Sequence, residues 1–192
     1  MTMAANKVIA ICLGSLVLLW AEVTYADEEH ATRFPGEGSQ TVSPDGKHVL
    51  INIDSEDDSQ TAYLGDNHAL YLLDLETTKI ERIRSYGRSV EVLWSPKGSA
   101  LLLSDHVGSD STDTIIYTLN GEKRQIDIER ELRRQMGDNQ SIFNNHHVYI
   151  TGVGWLGEDK VEIKIWGYGD IDPRGFTLRY EFTIGDGFKK LQ

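Results

Sequence analysis

Ser43-Pro44-Asp45-Gly46 recurs 52 residues later as Ser95-Pro96-Lys97-Gly98. Each turn is followed by an apolar run, Val49-Leu50-Ile51 after the first and Leu101-Leu102-Leu103 after the second. A polar stretch intervenes, and alternation then marks another strand. Tyr71, Leu73 and Leu75 share one face, as do Ile115, Tyr117 and Leu119. A short turn, Thr77-Thr78 or Asn120-Gly121, leads to a fourth alternating segment, Ile80 to Arg84 or Gln125 to Ile128. Asn-Gly between alternating runs is a strong hairpin signal. A third copy is degenerate. Trp155-Leu156-Gly157-Glu158-Asp159 occupies the place of Trp94-Ser95-Pro96-Lys97-Gly98, and Val161–Trp166, Phe176–Ile184 and Phe188–Leu191 follow as its strands. The extra spacing falls in Glu129–Asn145, where Leu132 and Met136 lie four apart, predicting one exposed helix that ends near Gly137.

Repeated four-stranded antiparallel units of about 50 residues are the pattern of propeller blades. On these turns the chain resembles the TolB-type and WD40-like propeller repeats, whose motif is a Ser-Pro-Asp-Gly turn after the innermost strand, often preceded by an aromatic. The expectation is an all-β fold of three four-stranded antiparallel blades in a small, incompletely closed propeller-like arrangement. One short helix is inserted between the second and third blades. The blades fall at about 40–84, 89–128 and 147–192, with 27–39 left as an N-terminal segment able to cover a sheet edge. Pro35 suits that segment to an edge rather than a central strand. Closed propellers use about four to eight blades, so three leave the ring open or distorted.

The first residues carry an address. Lys7 precedes an apolar run from Val8 to Trp20, and the small residues Thr24 and Ala26 stand before Asp27-Glu28-Glu29. This is the tripartite layout of a secretory signal, with cleavage expected after Ala26. The run is shorter than the roughly 20 residues a membrane span needs. Ile11 before Cys12 excludes a lipoprotein signal, and cleavage would leave 166 residues without cysteine. A cysteine-free exported domain relies on its core alone, and thiolate nucleophiles and thiolate metal sites are excluded. The expected location is the periplasm, with no membrane association once the leader is removed. Asn139-Gln140-Ser141 is a glycosylation sequon that matters only in a eukaryotic source.

The 192 residues include 19 Lys and Arg against 30 Asp and Glu, a formal charge of −11. Such a chain repels nucleic-acid phosphates instead of releasing their counterions. Gly152-Val153-Gly154-Trp155-Leu156-Gly157 matches a dinucleotide-loop string, but that chemistry needs a helix to follow, and Lys160–Ile165 alternates as a strand. None of the six histidines, His30, His48, His68, His106, His146 and His147, has the spacing of a helical zinc pair. No Gly-x-Ser-x-Gly elbow is present. The composition predicts a non-enzyme with no cofactor and no metal.

The loops between second and third strands say more. Asp54–Asn67, Asp105–Asp113 and Gly167–Gly175 carry ten acids against Arg174 and His106. In a blade array these loops share one end, which would therefore be strongly negative. Neither Asp54-Ser55-Glu56-Asp57-Asp58 nor Asp170-Ile171-Asp172 supplies the spacing and glycine turn of a calcium loop. Docking of a basic protein is the better reading, since acidic loops steer such a partner. The expected contact residues are Asp57, Asp58, Asp105, His106, Asp170 and Asp172, with Tyr63, Tyr168 and Tyr86 as aromatic anchors. Gly108-Ser109-Asp110-Ser111-Thr112 is small, hydroxyl-rich and flexible, suited to entering a narrow cleft.

A signal-bearing, cysteine-free, three-unit propeller-like domain is similar in overall architecture to the periplasmic immunity proteins that protect bacteria against type VI secreted peptidoglycan amidases. That resemblance implies binding to the toxin and occlusion of its Cys/His active site, with Ser109, Asp110 and Ser111 as the plug. The alternative is a TolB-like envelope scaffold or sensor with a different protein partner.

Overall fold

The computed structural model describes residues 31–54, 68–121, 124–136 and 141–191, together with the strands β1 (Val8–Ala10) and β2 (Leu19–Ala21). Those two strands pair antiparallel with each other. The cleavage position expected after Ala26 lies outside the described residues. Among them no helix is long and apolar enough to cross a membrane.

Among the described residues from 31 onward, the regular structure is mostly antiparallel strand. β3 (Thr32–Phe34) comes first and stops at Pro35, which has no amide proton to continue a ladder. A meander follows, β4 (Gln40–Val42), β5 (His48–Asp54), β6 (His68–Asp74) and β7 (Ile80–Tyr86), and it forms a sheet of its own. A second meander runs through β8 (Val90–Trp94), β9 (Ala100–Asp105), β10 (Ser111–Thr118) and β11 (Arg124–Asp127). The helix α1 (Ile128–Met136) and a 3-10 turn at Ser141–Asn144 lead to a third, β12 (His147–Trp155), β13 (Lys160–Tyr168), β14 (Phe176–Thr183) and β15 (Gly187–Lys190).

The repeat read from the turns is real at the level of hydrogen bonds. The Ser43 amide donates to the His48 carbonyl, Ser95 to Ala100, and Leu156 to Lys160. Leu75, Leu119 and Ile184, each following a third strand, donate to the carbonyls of Lys47, Ser99 and Asp159. His48, Ala100 and Lys160 are therefore equivalent, and the degenerate third turn is one residue shorter. Gly46 and Gly98 hold φ of +71° and +74°, the left-handed conformation that makes glycine the fourth residue of this turn.

Three separate blades are not what forms. The second and third meanders belong to one nine-stranded sheet, so the structure has one four-stranded and one nine-stranded sheet beside the β1–β2 ribbon. The cause is a fork in β10. Residues Ile115–Thr118 pair with β11, while Ser111 and Thr112, beyond the end of β11, pair in parallel with Val148 and Tyr149 of β12. An unpaired ladder end buried between meanders costs free energy, and β12 satisfies it. β3 covers the free edge of β8, the edge role expected of its segment. Neither sheet closes on itself.

The strands β8 and β9 of the second meander are buried on both faces. Val90, Val92, Leu101 and Leu103 meet Leu50, Leu70, Leu72 and Tyr86 of the first meander, together with Phe34. Leu93, Leu102 and Ile116 face the opposite way, into a cluster with Ile150, Val161, Ile163, Ile165, Tyr180 and Phe182 of the third. This explains Leu101-Leu102-Leu103, a continuous apolar run where a half-exposed strand would alternate. On β6 the residues turned into the core are Leu70 and Leu72, not the Tyr71 and Leu73 face that alternation also offers. The helix is not simply exposed either: Ile128 and Leu132 are buried against the larger cluster, and Gln135 bonds both the amide and the carbonyl of Phe188.

Candidate functional site

The strand ends that bear the acidic loops come together at one end of the sheets. At the first meander, Asp54 accepts from Asn52 Nδ2 at 2.8 Å and meets His68 Nδ1 at 2.6 Å. The His68 ring stacks on Tyr86 at 4.9 Å, and the Tyr86 hydroxyl donates to Asn52 Oδ1 at 2.6 Å. Tyr86 is 1% exposed, so it packs the core and is no surface anchor. The connecting loop with Asp57, Asp58 and Tyr63 lies outside the described residues.

Arg84 on β7 staples this end to the next hairpin. Its guanidinium donates to Asp105 Oδ2 at 2.6 Å and to Asp113 Oδ2 at 2.8 Å. Burial alone would lower the Arg84 pKa, but its bonds to Asp113 and Asp105 outweigh that and raise it. Asp105 is 1% exposed and supports the loop from beneath, so it does not face solvent as a contact residue would.

Main-chain carbonyls and amides of the 106–110 loop are hydrogen-bonded at both of its ends. The His106 amide donates to the Ser89 carbonyl at 2.9 Å and that of Val107 to Asp105 at 3.0 Å. At the far side, the Tyr149 hydroxyl donates to the Ser109 carbonyl at 2.5 Å and the Val148 amide to the Asp110 carbonyl at 3.1 Å. Main-chain anchors at both ends leave the side chains of Ser109 and Asp110 exposed, with Ser111 half-buried at the start of β10. β12 supplies this loop with partners that chain order did not reveal. His106 Nε2 stands 3.6 Å from Glu91 Oε1, and this interaction with His106 holds Glu91 below the usual carboxylate range against the opposing effect of burial.

The third loop adjoins through β12. His147 stacks on Tyr168 at 4.3 Å and Tyr149 on Trp166 at 4.2 Å. His146 Nε2 meets Asp170 Oδ2 at 3.0 Å, with Asp170 wide open to solvent. Asp172 is a clamp: it accepts from Asn145 Nδ2 at 2.9 Å and donates its amide to Asn145 Oδ1 at 3.1 Å. Ser109, Asp110, His106, Tyr168, Asp170 and Asp172 are thus on adjoining loops, while Asp105 sits below them. Two residues escaped sequence reading. Val107 and Ile171 are 42% and 51% exposed on those loops, beside Tyr168 at 46%. An apolar residue in a short loop gives no sign of its exposure until the neighbouring strands are placed.

Among the described residues no group of three or more His, Cys, Asp or Glu is placed to hold a metal ion. A cleft of about 750 Å³ between β10, β11 and α1 is lined by Arg84, Arg130, Arg133 and Arg134. Its cations are largely answered within the chain, Arg84 by Asp113, Arg133 by Glu129 and Arg134 by Glu131. Gly152–Gly157 lies along β12 and the turn after it, followed by the strand β13 and no helix, so it is not a dinucleotide loop.

Fold and site together define a mostly-β protein of three meanders in open sheets, with a polar loop end. No protein-family model and no curated protein matches the chain. Solved structures similar to it are TolB from Acinetobacter baumannii, 18% identical over 81% of this chain and 32% of that one, with a TM-score of 0.42. Another is the β-propeller domain of the Trilobed protease from Pyrococcus furiosus, an open velcro topology, 17% identical over 81% of this chain and 43% of that one, with a TM-score of 0.47. The chain spans less than half the length of either.

Proposed function

We propose that the protein is an exported protein-binding module that inhibits a secreted cell-wall amidase, docking its loop end on a basic partner and seating Ser109, Asp110 and Ser111 over the partner's active site. The observation that carries this reading is the anchored loop. Ser109 and Asp110 project from a backbone tied to Ser89, Val148 and Tyr149, so little conformational entropy is lost when they enter a cleft. Exposed Val107, Tyr168 and Ile171 supply apolar contact area around them. The carboxylates of Asp110 and Asp170 steer a basic surface, and the Ser109 hydroxyl and Asp110 carboxylate are the groups that reach a catalytic histidine.

The test is to titrate the purified protein into candidate peptidoglycan amidases and follow both affinity and hydrolysis. Stoichiometric inhibition is expected. Ser109→Arg with Asp110→Arg should weaken binding about 30-fold or more, the effect of losing an interface hot spot, with thermal stability unchanged. Unaltered inhibition by that variant would remove the loop from the reading. Association should also slow as salt is raised.

A further inference from the structure

The outer face of the third meander carries four rings in two stacked pairs. His147 and Tyr149 of β12 are the register partners of Tyr168 and Trp166 of β13. Tyr168 lies against His147 at 4.3 Å and Trp166 against Tyr149 at 4.2 Å, with the planes 19° and 21° apart. β13 runs between β12 and β14, so one face of each β13 ring is covered from the β12 side and the other looks toward β14. On that side the chain supplies little bulk. Thr177, the register partner of Trp166, is short and exposed, and Gly175 stands just before β14. Gly175 has a φ of +80°, and a Cβ there would come within 3.2 Å of the Gly167 carbonyl oxygen and 4.0 Å of Tyr168 Cβ. The result is a slot of about 460 Å³ whose walls include Trp166, Tyr168, Pro173, Arg174 and Thr177, and to which neither β12 ring contributes.

We propose that this slot binds an acidic saccharide, with a sugar ring stacked on the open faces of Trp166 and Tyr168 and its carboxylate on Arg174. Aromatic faces are electron-rich and attract the polarised C–H groups on the flat side of a sugar. Around them the rim is polar. The Thr177 hydroxyl is on an exposed residue, and the Lys164 ammonium lies 5.5 Å from the Trp166 ring. Arg174 is exposed and has no hydrogen-bond or ion-pair partner among the described residues. An aromatic peptide side chain would cover the rings and leave those donors unanswered, at the cost of their desolvation. A saccharide answers them with hydroxyls and a carboxylate, and a guanidinium matches a carboxylate at two points. The acids of the same loop are engaged elsewhere, Asp172 by Asn145 and Asp170 by His146. A single carboxylate is tolerated at such a rim, whereas a nucleic-acid strand would bring a phosphate at every step to a chain of charge −11. The slot shares only Tyr168 with the docking end, and the inference does not depend on the inhibitory reading.

The experiment is titration calorimetry of the purified protein with two tetrasaccharides of the same linkage, one containing glucuronic acid and the other glucose in its place. The acidic probe should bind with a Kd of about 0.1–1 mM, as suits a small open site, and the neutral one about tenfold more weakly. Arg174→Gln should bring the acidic probe to the neutral affinity and leave the neutral probe as it was. Thr177→Phe should fill the slot and abolish binding of both, with the melting temperature unchanged, because the position is exposed and Phe suits a strand. Lys79→Gln, beside the β6–β7 turn, should change neither affinity. An acidic probe that does not bind overturns the inference, as does binding that survives Thr177→Phe or is indifferent to Arg174→Gln. Tighter binding of an octathymidylate, or of an acidic peptide containing Trp, than of either saccharide would also overturn it, by giving the slot to another class of ligand.

Discussion

At the scale of the residue, the repeat shows how one chain solves the same turn twice. Asp45 accepts from Ser43 Oγ at 2.6 Å and from the Lys47 amide at 3.1 Å. The second turn has Lys97 at that place, and its carboxylate comes from another meander. Glu158 accepts from Ser95 Oγ at 3.0 Å and the Lys97 amide at 2.8 Å, and also from the Ser99 amide and hydroxyl. Burial would raise its pKa, but the donors on Ser99, Lys97 and Ser95 prevail and hold it low. Glu158→Ala should cost about 1.5 kcal/mol, the desolvation of donors left without a partner, measured by urea denaturation. Adding Lys97→Asp should recover much of that loss by restoring the motif of the first turn. A neutral Glu158→Ala would mean that water replaces the carboxylate. The two short turns were legible in sequence because Pro and left-handed Gly are local signals. Glu158 was not, because its partners lie about 60 residues away.

At the scale of the element, β12 decides more than its own sheet. It crosses close over β9, where a Cβ placed on Gly152 would stand 2.1 Å from Leu102 Cδ2. The Gly152 amide donates to Ser104 Oγ at 3.1 Å, and the Thr114 hydroxyl bonds the Ile150 carbonyl. Gly152→Ala should therefore destabilise by about 2 kcal/mol through overpacking. Introducing Leu102→Ala beside it should be less than additive, since each change relieves the other; strictly additive losses in a thermal double-mutant cycle would contradict the close approach. The same strand carries Tyr149 and Val148, which hold the 106–110 loop. Strand periods read from sequence place such an element within its own hairpin, yet give no account of what it crosses.

At the scale of the whole molecule, electrostatics and stacking govern behaviour. Asp54 is held low mainly by its hydrogen bond to His68, Asp74 by the Thr77 amide, Glu91 by His106, and Glu158 by its turn donors. Carboxyls with depressed folded-state pKa bind fewer protons than in the unfolded chain, so their contribution is complete above the unfolded value, about 4. It is lost as pH falls through the folded values. Relief of the −11 charge on approaching pH 4.9 acts the other way. The urea midpoint should thus hold down to about pH 4.5 and then fall, and Glu91→Gln should flatten that fall; a midpoint declining steadily from pH 7 would refute it. From sequence alone came the all-β class, the three meanders, the strand alternation and the grouping of acidic residues in inter-strand loops, because each is written in local periodicity and turn chemistry. Tertiary structure alone decided that β10 forks to join two meanders, and that Asp105 and Tyr86 are buried while Val107 and Ile171 are not. Those outcomes depend on which surfaces meet across the fold, and no stretch of neighbouring residues contains that information.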